Sequence, residues 1–123
     1  DFGDAQVWDS MDTFNGPAPI VIINDGNIHV NVSMKTTKYL WKSVAAGTRY
    51  FQFRINESEP NSFNTSVMEW TNVTLDNVSI MHELDYHGAS DSAELHFNVT
   101  VPPAEPKGSK QANFTISGRP LFE

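Results

Sequence analysis

From Ala93 to Val101 the chain alternates without a break: Ala93, Leu95, Phe97, Val99 and Val101 are apolar, while Glu94, His96, Asn98 and Thr100 between them are polar. A period of two over that length points to a β-strand with one face in a core, because successive side chains of a strand point to opposite faces. Ala112, Phe114 and Ile116 repeat the pattern against Gln111, Asn113, Thr115 and Ser117. Between the two runs lies Pro102-Pro103-Ala104-Glu105-Pro106-Lys107-Gly108, whose prolines cannot join a central strand. The two runs, from Ser92 to Ser117, are therefore expected to pair as a hairpin.

The same period recurs upstream. Ile20-Val21-Ile22-Ile23 reads as a short buried strand, and Asn24-Asp25-Gly26-Asn27 as a tight turn, since Asn, Asp and Gly tolerate positive φ. Ile28, Val30, Val32 and Met34 then face inward against His29, Asn31, Ser33 and Lys35, which makes a second expected hairpin. Tyr39 to Ala46 reads as either one turn of helix closed by Gly47 or an irregular crossover. Arg49 to Ile55 is a strand with Phe51, Phe53 and Ile55 inward, and Asn56 to Asn64 is a polar loop. Val67 to Leu75, with Val73 and Leu75 inward, and Val78 to Leu84 are strands joined at Asp76-Asn77.

Residues 1–15 are acidic, with partial alternation around Ala5, Val7, Asp9 and Met11, and Gly16-Pro17-Ala18-Pro19 cuts them off. The expected organisation is an N-terminal segment, 1–15, followed by a single domain, 16–123. Many short strands with closely spaced turns and almost no helix point to an all-β chain, one antiparallel β-sandwich of about 7–8 strands, whose immunoglobulin-like (jelly-roll-like) form is what the family resemblance given below implies.

Composition narrows the partners. At 123 residues, 39% hydrophobic, the chain can build one core. A net charge of -7 and only eight Lys and Arg argue against nucleic acid, and no apolar run is long enough for membrane insertion. The sequence begins at Asp1 like a processed or trimmed product, which fits secretion after signal-peptide removal. Cysteine is absent, so an extracellular chain of this kind would rely on core burial, metal or neighbours in an assembly.

The most informative pattern is Asn-x-Ser/Thr, which occurs at Asn31, Asn56, Asn64, Asn72, Asn77, Asn98 and Asn113, never with a central proline. Eleven Asn and twenty Ser plus Thr would give roughly two such triplets by chance. Strand periodicity offers a bland account, because residues i and i+2 share a polar face, yet Asn56 and Asn64 fall in the expected loop. N-linked glycans are the expected modification. No triplet has Asp or Glu two residues upstream, the extended acceptor preferred by bacterial systems. A eukaryotic or archaeal cell exterior remains, and the lack of cysteine favours the archaeal one.

Ile20 to Met34, IVIINDGNIHVNVSM, and Asp91 to Gly118, DSAELHFNVTVPPAEPKGSKQANFTISG, together resemble the immunoglobulin-like β-sandwich domains of archaeal surface proteins. In strand and turn patterning they are similar to subunits of archaeal thread-like filaments and the related TasA-like biofilm fibres. That resemblance implies donor-strand complementation, in which a terminal strand of one subunit completes the sheet of the next and the contact repeats into a homopolymer. The candidate donor is the N-terminal segment, with Ala5, Val7, Trp8, Met11 and Phe14 as its apolar anchors. The bland account is an ordinary first strand or a frayed terminus.

Catalytic and metal readings find little purchase. His82-Glu83-Leu84-Asp85-Tyr86-His87 spaces its histidines five apart, so neither a helix nor a strand puts them on one face as a zinc protease requires. Asp85, Asp91 and Glu94, with Asp25, offer oxygen ligands for calcium, but no EF-hand-like spacing supports them over solvated loop carboxylates. No cysteine nucleophile, Gly-x-Ser-x-Gly elbow or phosphate loop is present, so the chain is read as no enzyme. Trp41 and Trp70 are expected in the core, and Trp8 against another copy. The sequence thus points to an extracellular filament subunit. The alternative is a carbohydrate-binding or adhesin module of a larger surface or S-layer protein, directed at surface glycans or neighbouring cells.

Overall fold

The computed structural model describes residues 3, 5–6, 8–14, 16–36, 40–44 and 48–121. Among them the chain forms nine strands and no helix: β1 (Ser10–Asp12), β2 (Ile20–Ile23), β3 (Val30–Thr36), β4 (Phe51–Glu57), β5 (Phe63–Ser66), β6 (Thr71–Asn72), β7 (Val78–Leu84), β8 (Ser92–Thr100) and β9 (Phe114–Pro120). One sheet runs β1-β8-β4-β6, with β2 also paired to β8, and the other runs β5-β7-β3-β9; every pairing is antiparallel. The inward faces share one core, with Phe53, Ile55, Ala93, Leu95 and Phe97 from the first sheet against Val32, Met34, Ile80, Met81 and Leu84 from the second. Phe97 of β8 meets Phe114 of β9 across the gap at a ring separation of 5.1 Å. This is an all-β sandwich.

The expected hairpins are not there. β2 and β3, β6 and β7, and β8 and β9 lie in opposite sheets, so each turn between them is a crossover. Period two shows that a segment is a half-buried strand; it carries no information on which strand it pairs with. Asn24 shows the physical reason at the first of these corners. Its amide donates to Asp91 O at 2.8 Å, continuing the β2–β8 ladder, while its buried side chain donates to Ile28 O at 2.9 Å and Leu84 O at 3.1 Å. With its oxygen also accepting the Gly26 N–H at 3.0 Å, one Asn bends the chain and ties it to the second sheet.

From β2 onward the strands alternate strictly between sheets. An immunoglobulin domain keeps several consecutive strands side by side in one sheet. Here the order β2-β8-β4-β6 over β3-β7-β5 is that of a jelly roll, with β9 added beside β3.

Three boundaries also shift. β4 extends through Glu57 and β5 starts at Phe63, so Asn56 and Asn64 stand in strands and not in a loop. The strand expected over Val67 to Leu75 reduces to Thr71–Asn72, and Leu75 is exposed while Val73 is buried. In β7 the pairing skips a residue on each side of Met81, and Ile80 and Met81 are both buried, as a β-bulge allows. Of the stretch Tyr39 to Ala46, residues 40–44 are described and are irregular; residues 39, 45 and 46 lie outside the described residues. No helix among the described residues is long and apolar enough to cross a membrane.

Candidate functional site

Residues 8–13 and 20–23 run antiparallel to β8 as two parts of one edge of the first sheet. The Trp8 N–H donates to Val101 O at 2.8 Å and the Val101 N–H to Asp9 O at 3.0 Å; Ser10, Met11 and Asp12 then pair with Thr100, Val99 and Asn98. Thr13 N–H reaches Phe97 O at 3.1 Å, the chain departs, and β2 resumes the same ladder from Ile20 opposite Leu95 to Ile23 opposite Ser92. The outer side of this edge has no strand partner among the described residues. Such an edge is a template for further pairing, and charged side chains usually guard it. Here Asp9 and Asp12 stand on the first part, while β2 is without charge; Trp8, Phe14, Ile20, Val21 and Ile23 are exposed along the edge, with Ile23 57% accessible.

Side chains hold the first part of the edge down. Thr13 is buried, and its Oγ1 accepts the Phe97 N–H at 3.1 Å while pairing with His96 Nδ1 at 2.7 Å. Phe14 lies flat on the His96 imidazole, 3.8 Å between centroids and 7° between planes, and meets Trp70 edge-on at 6.0 Å. The Arg54 guanidinium sits 5.8 Å from each of those two rings. Trp8 leans on Tyr50 at 6.3 Å, with the Arg49 guanidinium 6.0 Å from its ring. His96 faces outward by periodicity yet is only 2% accessible, because Thr13 and Phe14 roof it and Glu94 Oε1 stands 3.3 Å from its Nε2.

Of the expected donor anchors, Trp8 and Phe14 thus pack against their own domain with part of each ring in solvent, Met11 is half-buried opposite Val99, and Ala5 is exposed. Val7 lies outside the described residues. Thr13, His96, Arg54 and Tyr50 were not singled out by sequence. No periodicity reveals that a terminal segment will cover the outer face of a sheet. Trp70, expected in the core, is half-buried on that outer face.

The seven Asn-x-Ser/Thr sites divide by environment. Asn64, Asn77 and Asn113 are exposed, in β5, in the turn before β7 and just before β9. Asn31, Asn56, Asn72 and Asn98 are half-buried in strands. Asn31 donates its amide to Ser79 Oγ at 3.0 Å and His82 O at 3.3 Å. Asn98 accepts from Ser10 Oγ at 3.1 Å, and Asn72 from Gln52 Nε2 at 2.9 Å. Asp12, Asn98, Gln52 and Asn72 stand in register as one polar row across the first sheet.

Asp85, Asp91 and Glu94 have separate partners. Glu94 faces His96, and Asp91 lies beside Glu59, whose Oε1 accepts the Asp91 N–H at 3.2 Å and Ser92 Oγ at 2.7 Å. Hydrogen bonding and repulsion from Glu59 push the Asp91 carboxyl up. Among the described residues no group of three or more His, Asp or Glu side chains is placed to hold a metal ion. Asp85 instead accepts from Ser90 Oγ at 2.5 Å, His87 Nδ1 at 2.7 Å and the Tyr86 N–H at 2.8 Å, with His29 Nε2 at 3.2 Å.

Those donors, Ser90 above all, hold the Asp85 carboxyl well below the usual range against its partial burial. A depressed folded pKa stabilises above the unfolded value, near 3.9, and that contribution is lost as pH falls further. Asp85→Ala should therefore lower Tm at pH 7, and the gap to the parent should begin to close below about pH 4. Thermal melts across that range check this; a gap independent of pH would contradict it.

The molecule is thus an antiparallel β-sandwich whose N-terminal edge exposes apolar side chains and has no strand beyond it among the described residues. No protein-family model matches the sequence, and neither the curated proteins nor the solved structures contain a match to it.

Proposed function

We propose that this chain is a structural subunit of an extracellular, N-glycosylated surface filament, a homopolymer joined by donor-strand complementation through its N-terminal segment. The observation that carries this reading is the edge of residues 8–23: exposed apolar side chains at the rim of a sheet with no strand beyond them among the described residues, whose first part is a three-residue strand with a Gly/Pro stretch behind it. Burying such an edge against another copy extends the sheet and removes its apolar surface from water. The Asn-x-Ser/Thr triplets all lie at or after Asn31, so residues 8–23 carry none of their own, and the triplet nearest to them in space is that of Asn98, opposite Asp12.

The second reading, a carbohydrate-binding or adhesin module, draws on the polar row Asp12-Asn98-Gln52-Asn72 beside Trp70. Planar amides next to an aromatic ring are groups that bind saccharide hydroxyls and faces.

Deleting residues 1–15 from the glycosylated protein separates the two. The filament reading expects fibres to vanish from electron micrographs and intact mass to fall on deglycosylation of the parent. Fibres that persist without residues 1–15 would sink donor-strand assembly, and a parent mass equal to the bare polypeptide would sink the glycans.

A further inference from the structure

The Asn-x-Ser/Thr triplets are alike in sequence and unlike in the fold. Transfer of an N-linked glycan needs two groups within reach of a transferase: the Asn Nδ2, which takes the sugar, and the hydroxyl two residues on, which completes the acceptor. In four triplets the Asn is half-buried and one of these groups is already engaged or covered. Asn31 spends Nδ2 itself, on Ser79 Oγ at 3.0 Å and His82 O at 3.3 Å. The hydroxyl of the Asn56 triplet, Ser58 Oγ, lies 2.9 Å from Ser92 Oγ. That of the Asn72 triplet, Thr74 Oγ1, is buried without a hydrogen-bond partner. In the Asn98 triplet, Ser10 Oγ stands 3.1 Å from both Asn98 Oδ1 and Thr100 Oγ1.

The other three Asn are exposed, and all belong to the second sheet. Phe114 packs on the core, so Asn113 and Thr115 on either side of it face solvent, and both are exposed. Asn77 stands in the turn before β7, and Ser79, its hydroxyl partner, is exposed even while it bonds Asn31. Asn64 is exposed on β5, the edge of that sheet, opposite Glu83. The register sets Asn77 and Asn113 on either side of the Lys35–Thr36 end of β3, and Asn64 towards its Val30 end.

We propose that, of the seven triplets, only those of Asn64, Asn77 and Asn113 carry N-linked glycans, so that sugar covers the second sheet while the outer face of the first, with its row Asp12-Asn98-Gln52-Asn72, is bare protein. This rests on the N-glycan part of the reading above and adds which Asn bear the sugar. In the transfer, Asn Nδ2 bonds to the anomeric carbon of a saccharide carried on a lipid phosphate. The bond from that carbon to the phosphate oxygen breaks, the lipid phosphate leaves with the electron pair, and Nδ2 gives up one of its two protons. A single N–H remains, so Asn31 could no longer donate to both Ser79 and His82. At Asn98 the sugar would stand against Ser10, on the strand beside it. The exposed Asn meet neither obstacle.

Glycopeptide mass spectrometry of the native protein, cut by two proteases of different specificity, reads each triplet directly. The expected map has glycan on Asn64, Asn77 and Asn113 and unmodified side chains at Asn31, Asn56, Asn72 and Asn98. Combining Asn64→Gln, Asn77→Gln and Asn113→Gln should then remove the whole glycan mass, whereas Asn98→Gln should remove none of it; the map of the parent decides the matter even if a variant fails to fold. Glycan on any of the four half-buried Asn, or a bare side chain at one or two of the exposed three, overturns the proposal and leaves the N-glycan reading standing. Bare Asn at all seven overturns both.

Discussion

Phe53→Ala should remove about 3–5 kcal/mol of folding stability, enough to unfold a large share of molecules at physiological temperature. Phe53 is 2% accessible at the middle of β4, between β8 and β6, and its ring fills the space between the sheets. Loss of the ring forfeits its transfer free energy and leaves a cavity. Phe97, opposite it on β8, is already engaged with Phe51 and Phe114, which limits how far the site can collapse. Urea denaturation gives the number. A loss under about 1 kcal/mol would mean that the two sheets do not close on this side chain.

Thr13→Ala should have the second-largest effect, and its size is set by the arm and not by the core. The substitution strips the partner from the Phe97 N–H and from His96 Nδ1, both in buried surroundings. Each unsatisfied buried group costs on the order of 1–3 kcal/mol. The chain has a cheaper route than bearing both costs, because releasing the arm lets water reach the imidazole. The global loss should therefore stop at about 1–2 kcal/mol. Hydrogen exchange checks the local part: the Phe97 and Val101 amides, which donate to Thr13 and Asp9, should lose protection while those of β3 and β7 keep theirs. Uniform loss across both sheets would show the arm to be inseparable from the domain.

The sequence disclosed strands far better than their partners. Alternation marks β3, β4, β8 and β9 because each has one face on the core, a property of the segment alone. Pairing depends on where the chain goes between strands, and the Asn24 corner looks like a hairpin turn until its side chain is seen to reach Leu84. His96 is the same lesson inside one strand, a polar residue at a polar position, buried by a segment eighty-three positions away. The Gly-Pro stretch marks off the acidic N-terminal segment in sequence but does not say that Ser10–Asp12 pair with β8. The positive φ of Trp8 and the close approach of Gly16 to the Asp12 carbonyl exist only in three dimensions.

The pairing of residues 8–23 with β8 also sets an order of events during synthesis. The arm leaves the ribosome well before the strand that receives it, Ser92–Thr100. Until that strand emerges the arm has no groove of its own. On the donor-strand reading proposed above, the closed monomer is the outcome of a race between a chain completing itself and a neighbour reaching it, and local subunit concentration decides which wins.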